Sequence, residues 1–417
     1  MENNLYSFFE RRFCTVKSWS FTLMAANLKN SYIRRDSISI FIKILQLVGF
    51  LLISPLSYAT EDVWTAFWDD EHYKRGFKDK NGKVRIPPKF MGMTQATVFK
   101  NIIAVMEEKG EGVKGGEYER SYDSYYLLKD GRRIDSVDMF TFDNSFDCES
   151  DGKVRFRDKQ TGGMGYLDGE GEVAIPAIYS IGQPFANGVA SVLNGGTLMC
   201  GNGQPFSNEN RCEHAHWQGG ESLVIDASNN VILYGLSLGQ EFDRYSLTIS
   251  DNPLNDVAVE SFKGVDGKFY NFINREKHFE DWFRQRILNK LSKTNLEKYS
   301  FEEITLYDSQ RGWYKEPKSK FWANNNKTVL AALSLLKKEG GSFFVTMNNL
   351  NRGIYEEDKY REFYAECYND YENKHPVLSV VANHKHKDLE VQNAFEFLKT
   401  VDGYKLISLT VRTAALN

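Results

Sequence analysis

"DGEGEVAIPAIYSIGQPFANGVASV" runs from Asp168 to Val192, and a weaker echo, "DKNGKVRIPPKFMGMTQATVFKNIIAV", runs from Asp79 to Val105. Arg75-Gly76-Phe77 lies over Met164-Gly165-Tyr166, and Val84-Arg85-Ile86-Pro87 over Val173-Ala174-Ile175-Pro176, at a constant offset of 89. Each shared position has a physical reading. Asn81-Gly82 and Glu170-Gly171 supply the positive φ of a tight hairpin turn. Val84-x-Ile86 and Val173-x-Ile175 alternate at period two, as a half-buried strand does. Pro87 and Pro176 lack a ladder donor and are expected to end that strand. Phe90 and Tyr179 follow as aromatics that cover the corner.

Further copies fill the gaps. "YYLLKDGRRI" (Tyr125 to Ile134), "CESDGKVRFRD" (Cys148 to Asp158), "SLVIDASNNVIL" (Ser222 to Leu233) and "FKGVDGKFYNFI" (Phe262 to Ile273) each read as strand, turn, strand. Regular spacing of hairpins predicts a repeat architecture. The stretch Gly165 to Val192 resembles the WG repeat, a bacterial motif of the form WGYID-x-x-G-x-x-V-I-P-x-x-Y. The Trp that names the motif is Met164 in one copy and Arg75 in the other. The resemblance spans roughly residues 63–275. It implies an exported or surface β-repeat module whose motif residues are structural: Gly82, Ile86, Pro87, Gly165, Gly171, Ile175, Pro176 and Tyr179.

The texture changes near His278. "FEDWFRQRILNKLSK" from Phe279, "TVLAALSLLKKEGG" from Thr328 and "KYREFYAECYNDYENK" from Lys359 read as three helices. "HPVLSVVAN" is strand-like, and "NAFEFLKTVDGYKLISLTV" reads as a terminal hairpin turning at Val401-Asp402-Gly403. The expected fold is therefore mainly β: an array of WG-like β-hairpin repeats over residues 60–275, then a smaller α+β domain over 279–417 with helices first and an antiparallel sheet later. This element order resembles the small cone-shaped α+β folds of the nuclear-transport-factor-like type.

The N-terminus reads as a targeting segment. Arg34-Arg35 precedes an apolar run from about Ile38 to Ile53 that ends in Ser57-Tyr58-Ala59. The run is short for a membrane span, which needs roughly 20 apolar residues. Small residues at 57 and 59 suit cleavage after Ala59, so residues 1–59 are expected to be a signal peptide. An uncleaved anchor is the alternative, and a start at Met24 would leave residues 1–23 untranslated. Residues 1–59 hold seven Lys or Arg and three acids, so the remainder carries 45 positive and 53 negative charges, a net of −8. That charge argues against nucleic acid and anionic membrane surfaces as partners. No membrane insertion is expected after cleavage, and the expected location is periplasmic or secreted.

Four cysteines follow residue 59: Cys148, Cys200, Cys212 and Cys367. An oxidising compartment permits disulfides. Cys200 and Cys212 flank the polar "GNGQPFSNENR" and are expected to pair, whereas the sequence leaves Cys148 and Cys367 open between pairing and buried thiols. The rival reading makes Cys212, His214 and His216, on one strand face, ligands for zinc or copper. Gly235-Leu236-Ser237-Leu238-Gly239 fits G-x-S-x-G, but an alternating segment follows where a hydrolase elbow needs a helix. Gly110 to Gly115 fits G-x-G-x-x-G, but no helix follows to receive a pyrophosphate. His384-Lys385-His386 reads as a solvated turn. No catalytic residue, metal site or cofactor is assigned. The expected role is a binding or scaffolding protein of the cell envelope with a protein or polysaccharide partner. The alternatives are an exported hydrolase with its site in the C-terminal domain and a metal-binding protein.

Overall fold

The computed structural model describes residues 62–69, 71–114, 117–207, 209–308, 312–337, 342–367, 373–386 and 389–412. The segment read as a signal peptide lies outside them. The described chain is mostly β-strand: repeat-like antiparallel sheets come first, and a smaller region mixing α and β follows.

The two motif copies form equivalent hairpins. Lys74–Lys78 pairs with Val84–Phe90, and Met164–Asp168 with Val173–Tyr179. Both turns are closed by an Asp. The Asp79 carboxylate accepts the amides of Asn81 (2.9 Å) and Lys83 (3.1 Å), and that of Asp168 those of Glu170 (3.0 Å) and Glu172 (2.9 Å). Burial alone would raise the Asp79 pKa, but these amides and the Arg85 guanidinium hold it below the usual carboxylate range. Only the Gly has positive φ, +80° at Gly82 and +81° at Gly171, so each is a three-residue loop with a left-handed Gly at its end. Asp226 closes the same loop at Ser222 to Leu233, with Asn229 at φ +66° in place of Gly. Arg132 and Lys268 complete like loops in the copies at Tyr125 and Phe262. At Cys148 to Asp158 only an isolated bridge, Ser150 to Lys153, precedes the strand Lys153–Arg157, so that copy is not a full hairpin.

The prolines do not end their strands. The strands run on to Phe90 and Tyr179, and the prolines sit in a bulge. Tyr166 pairs with Ile175 but Met164 with Tyr179, so residues 176–178 all oppose Gly165. Likewise Phe77 pairs with Ile86 and Arg75 with Phe90, so residues 87–89 oppose Gly76. A bulge absorbs a residue without a donor, which is where Pro is tolerated inside a sheet. It also presses backbone against the facing Gly. A Cβ on Gly165 would lie 2.5 Å from the Ile175 carbonyl oxygen and 2.8 Å from the Ala177 nitrogen; on Gly76 the matching distances are 2.7 Å to Ile86 O and 2.8 Å to Pro88 N. The motif Gly is thus required by close approach.

At the Trp position, Met164 is fully buried in a cluster with Phe140, Tyr166, Ile175, Tyr179 and Phe185. Arg75 is buried too; its guanidinium lies 4.5 Å from the Trp68 ring and donates to Ala96 O at 3.0 Å. Tyr179 donates to the Asn229 side chain at 2.7 Å, tying one hairpin to the next.

The α+β region begins at Arg275–Trp282, capped by the Asn274 side chain accepting from Lys277 N. A π-helical turn, Phe283–Ile287, keeps the apolar stripe facing inward. Its six-stranded sheet has the order Gly312–Pro317, Ser300–Asp308, Gly403–Thr410, Leu389–Thr400, Val377–His386, Phe343–Asn348. Ser300–Asp308 runs parallel to Gly403–Thr410; the other neighbours are antiparallel. A hairpin therefore precedes the long helix, which corrects the order of helices first and sheet later. The helix is Lys318–Leu335 and starts ten residues before Thr328. The Asn run inside it hides the start, yet Asn325 and Asn326 donate to the Phe321 and Trp322 carbonyls one turn back, and Phe321 and Trp322 are buried. The helices pack Phe279, Phe283, Trp322 and Leu333 onto Phe395, Phe397 and Leu406 of the sheet. Of the helix expected from Lys359, the described residues form only a 3-10 turn, Asp358–Phe363, and residues 368–372 lie outside the described residues. From Tyr364 to Cys367 the chain is not helical: Cys367 bridges to Ala96, and Thr97 N donates to Glu366 O at 2.8 Å.

Candidate ligand cleft

Among the contacts between the repeat sheets and the α+β region, two stand out. The first is the disulfide Cys148–Cys367, with Cα atoms 5.7 Å apart across 219 positions of sequence. Around it, Thr97 Oγ1 donates to Glu366 O at 2.8 Å and Lys100 pairs with Glu366 at 2.6 Å. The second is Asp243, which is 2% exposed. It pairs with the equally buried Arg275 at 3.3 Å and with Lys399 on the C-terminal sheet. Burial pushes the Asp243 pKa up, but Lys399 and Arg275 outweigh it and hold the carboxyl below its ordinary value.

Between these modules lies an open cleft of about 740 Å³. That size suits a small-molecule or short polymer ligand. One wall is residues 140–151, a second is residues 181–193 with Ser222, Ser237 and Gln240, and a third is residues 362–367 and 373–375. The Cys148–Cys367 bridge lies where the first and third walls meet.

The first wall is built by charge and aromatic packing. Asp147 accepts from Arg155 at Nη2 (2.6 Å), Nε (3.0 Å) and the backbone N (2.8 Å). The Arg155 guanidinium lies 4.0 Å from the buried Phe140 ring, a cation–π arrangement. Tyr126 anchors both, donating to Arg155 O (2.7 Å) and accepting from Phe140 N (3.1 Å); burial pushes its phenol pKa far up. Glu149 accepts the amides of Asn101 (2.9 Å) and Ile102 (3.1 Å). The hairpin Thr141–Phe142/Ser145–Phe146 turns at Asp143 and Asn144, both at positive φ, and leaves Phe142 56% exposed at the cleft.

Residues singled out in the sequence fall mostly elsewhere. Gly82, Ile86, Pro87, Gly165, Gly171, Ile175, Pro176 and Tyr179 belong to the two hairpins and line no part of the cleft. Cys200 and Cys212 are joined by a disulfide with Cα atoms 5.9 Å apart. Cys212 sulfur is thereby committed and does not stand as a thiolate beside His214 and His216. Among the described residues no group of three or more His, Cys, Asp or Glu is arranged to hold a metal ion. Gly235 to Gly239 is a connection between Val231–Tyr234 and Phe242–Ser250, with no helix after it, and Ser237 faces the cleft. Of the stretch Gly110 to Gly115, Gly110 to Lys114 ends the long strand Ile102–Lys114, and Gly115 lies outside the described residues. His384 to His386 ends the strand Val377–His386 and is not a turn. The sequence does not show the cleft, because its third wall is brought to the other two by long-range contacts, among them the Cys148–Cys367 pairing that the sequence leaves open.

No helix among the described residues is long and apolar enough to cross a membrane, which says nothing of strand-built pores. Comparison with curated proteins and with solved structures returns no match. A family model described as WG containing repeat matches residues 76–94 and 164–197. The chain is thus similar to WG-repeat proteins over the two motif hairpins.

Proposed function

We propose that this chain is an exported binding or scaffolding protein of the cell envelope. In this reading residues 1–59 are removed as a signal peptide, residues 60–275 are the WG-like module and residues 279–417 the α+β domain. The strand order of that domain supports a nuclear-transport-factor-like cone. Its inner face is filled by Phe279, Phe283, Trp322 and Phe397, which favours a site outside the cone. One observation carries the reading: both modules contribute walls to a single cleft of about 740 Å³, and a covalent bridge holds those walls together. Export supports the two disulfides, since an oxidising compartment lets them persist. A protein segment or a polysaccharide strand fits such an open trough.

Photo-crosslinking tests this. A crosslinker at Phe142 and another at Glu362, on different walls, should label the same envelope component. Labelling no different from that of a crosslinker at Tyr73, which is 78% exposed and not in the cleft, would reject the cleft as the site.

A further inference from the structure

A second, smaller pocket lies on the α+β sheet and shares no lining residue with the cleft. We infer that it takes an organic cation carrying N–H donors, of the kind that ends a lysine or arginine side chain or a free diamine. It holds about 130 Å³, and Trp313, Asn348, Tyr355, Glu396 and Ser408 are among the residues lining it. That is roughly ten times what one water needs, enough for a charged head on a short alkyl stem.

The sheet builds the pocket by alternation. Phe395 and Phe397 face the helices, so Glu396 between them points to the opposite face. There Val377, Leu398 and Ile407 pack with Leu350, Tyr355 and Tyr360, and the pocket opens beside that cluster. Glu396 is half-buried and makes no hydrogen bond or ion pair with a described residue. Ser379, directly opposite it on the next strand, is 3% exposed, and its hydroxyl is buried without a partner, so that pair does not consume the carboxylate. Burial pushes the Tyr355 phenol pKa up and the Glu396 charge adds to the rise, so the phenol stays protonated. The nearby cations are committed: Lys315 to Glu357 at 3.2 Å, Lys359 to Glu303 and Glu357, and Arg352 to Ala365 O at 2.9 Å. What remains is one negative charge beside an aromatic. Trp313, on the edge strand Gly312–Pro317, is 48% exposed, with its ring 5.2 Å from that of Tyr307. An indole face attracts a cation. The Asn348 side chain, bonded by no described residue, adds a carbonyl acceptor for its N–H groups. An anion would meet Glu396 as a like charge, and a neutral ligand would cover that charge without pairing it.

Labelling the full chain with fluorotryptophan, disulfides intact, lets the Trp313 fluorine resonance be followed, assigned by its loss in Trp313→Phe. The probes are capped lysine and capped arginine (acetylated, as the methylamides) and cadaverine. At least one should shift the Trp313 signal saturably, with a Kd on the order of 1 mM or tighter, while the signal of the buried Trp322 is unchanged. A preference for the capped amino acids assigns a protein side chain as the ligand, and a preference for cadaverine a free amine. Glu396→Gln should weaken binding by about tenfold or more. It is expected to fold, since Glu396 has no bond to a described residue to lose, and the thermal midpoint checks that. No saturable shift with any of the three probes, or binding undiminished by Glu396→Gln, would overturn the inference. So would equally tight binding of tetramethylammonium, which has no N–H, or of capped norleucine, which has no charge. Those two comparisons use the wild-type chain and hold whatever Glu396→Gln does to folding.

Discussion

Asp243→Asn should destabilise the protein by about 3–5 kcal/mol at neutral pH, the range for removing one partner of a buried ion pair. Asp243 and Arg275 are each 2% exposed and 3.3 Å apart. Asn keeps the shape but leaves the Arg275 guanidinium charged in a site that water does not reach. Lys399, 30% exposed, can turn toward solvent and adds less. The loss should depend on pH. Asp243 has its pKa lowered in the folded chain, so its contribution is complete above the unfolded carboxylate range, near pH 4. It fades as pH falls through the lowered folded value. The stability gap between wild type and variant should therefore be widest at pH 7 and shrink progressively below about pH 4. Urea unfolding without reductant, followed by tryptophan fluorescence, measures it. The buried Trp322 sits in the C-terminal core and reports that module. Replacing the pair as Asp243→Leu with Arg275→Met should recover most of the loss, because no buried charge is then stranded. A single-variant loss below about 1 kcal/mol, or one that does not change with pH, would refute the account of this junction.

The motif glycines should separate by mechanism. Gly165→Ala should cost about 1–3 kcal/mol through backbone crowding at the bulge. Gly171→Val should cost about 1 kcal/mol or more because φ is +81°; denaturation midpoints equal to wild type would refute either assignment. Peptide mapping of non-reduced protein should find Cys148 linked to Cys367 and Cys200 to Cys212. Chain-entropy reasoning assigns the wider loop, 219 apart, about 5 kcal/mol and the narrower, 12 apart, about 3 kcal/mol. Cys148→Ser with Cys367→Ser should accordingly lower the thermal midpoint more than Cys200→Ser with Cys212→Ser. N-terminal sequencing of the mature protein should begin at Thr60, and a start within residues 1–59 would refute cleavage after Ala59.

Much of the fold was legible because it is local. The loop Asp79 to Lys83 is specified by one carboxylate and one Gly, and its copy at Asp168 by the same two residue types. The Pro87 and Pro176 readings failed because an extra-residue bulge is decided by the facing strand, which periodicity along one strand does not record. The Asn324-Asn325-Asn326 run masked the start of a helix whose side chains Phe321 and Trp322 are claimed by the tertiary core. The stretch from Lys359 has helical texture, yet Cys367 is captured by Cys148 and Ala96, and that long-range contact prevails over propensity. The same distance hides the cleft: Glu362 lies more than 170 positions beyond Gln183 and reaches the walls that hold Phe142 and Gln183 only across the contact between the repeat sheets and the α+β region.

If the repeat sheets and the α+β region form one binding site, hydrogen exchange on the purified chain, with and without the envelope component captured by crosslinking at Phe142, should register both at once. Exchange should slow together at residues 140–151, 181–193 and 362–367, with the hairpins around Gly82 and Gly171 unchanged. Protection confined to one module, or spread over the motif hairpins instead of the cleft, would contradict it.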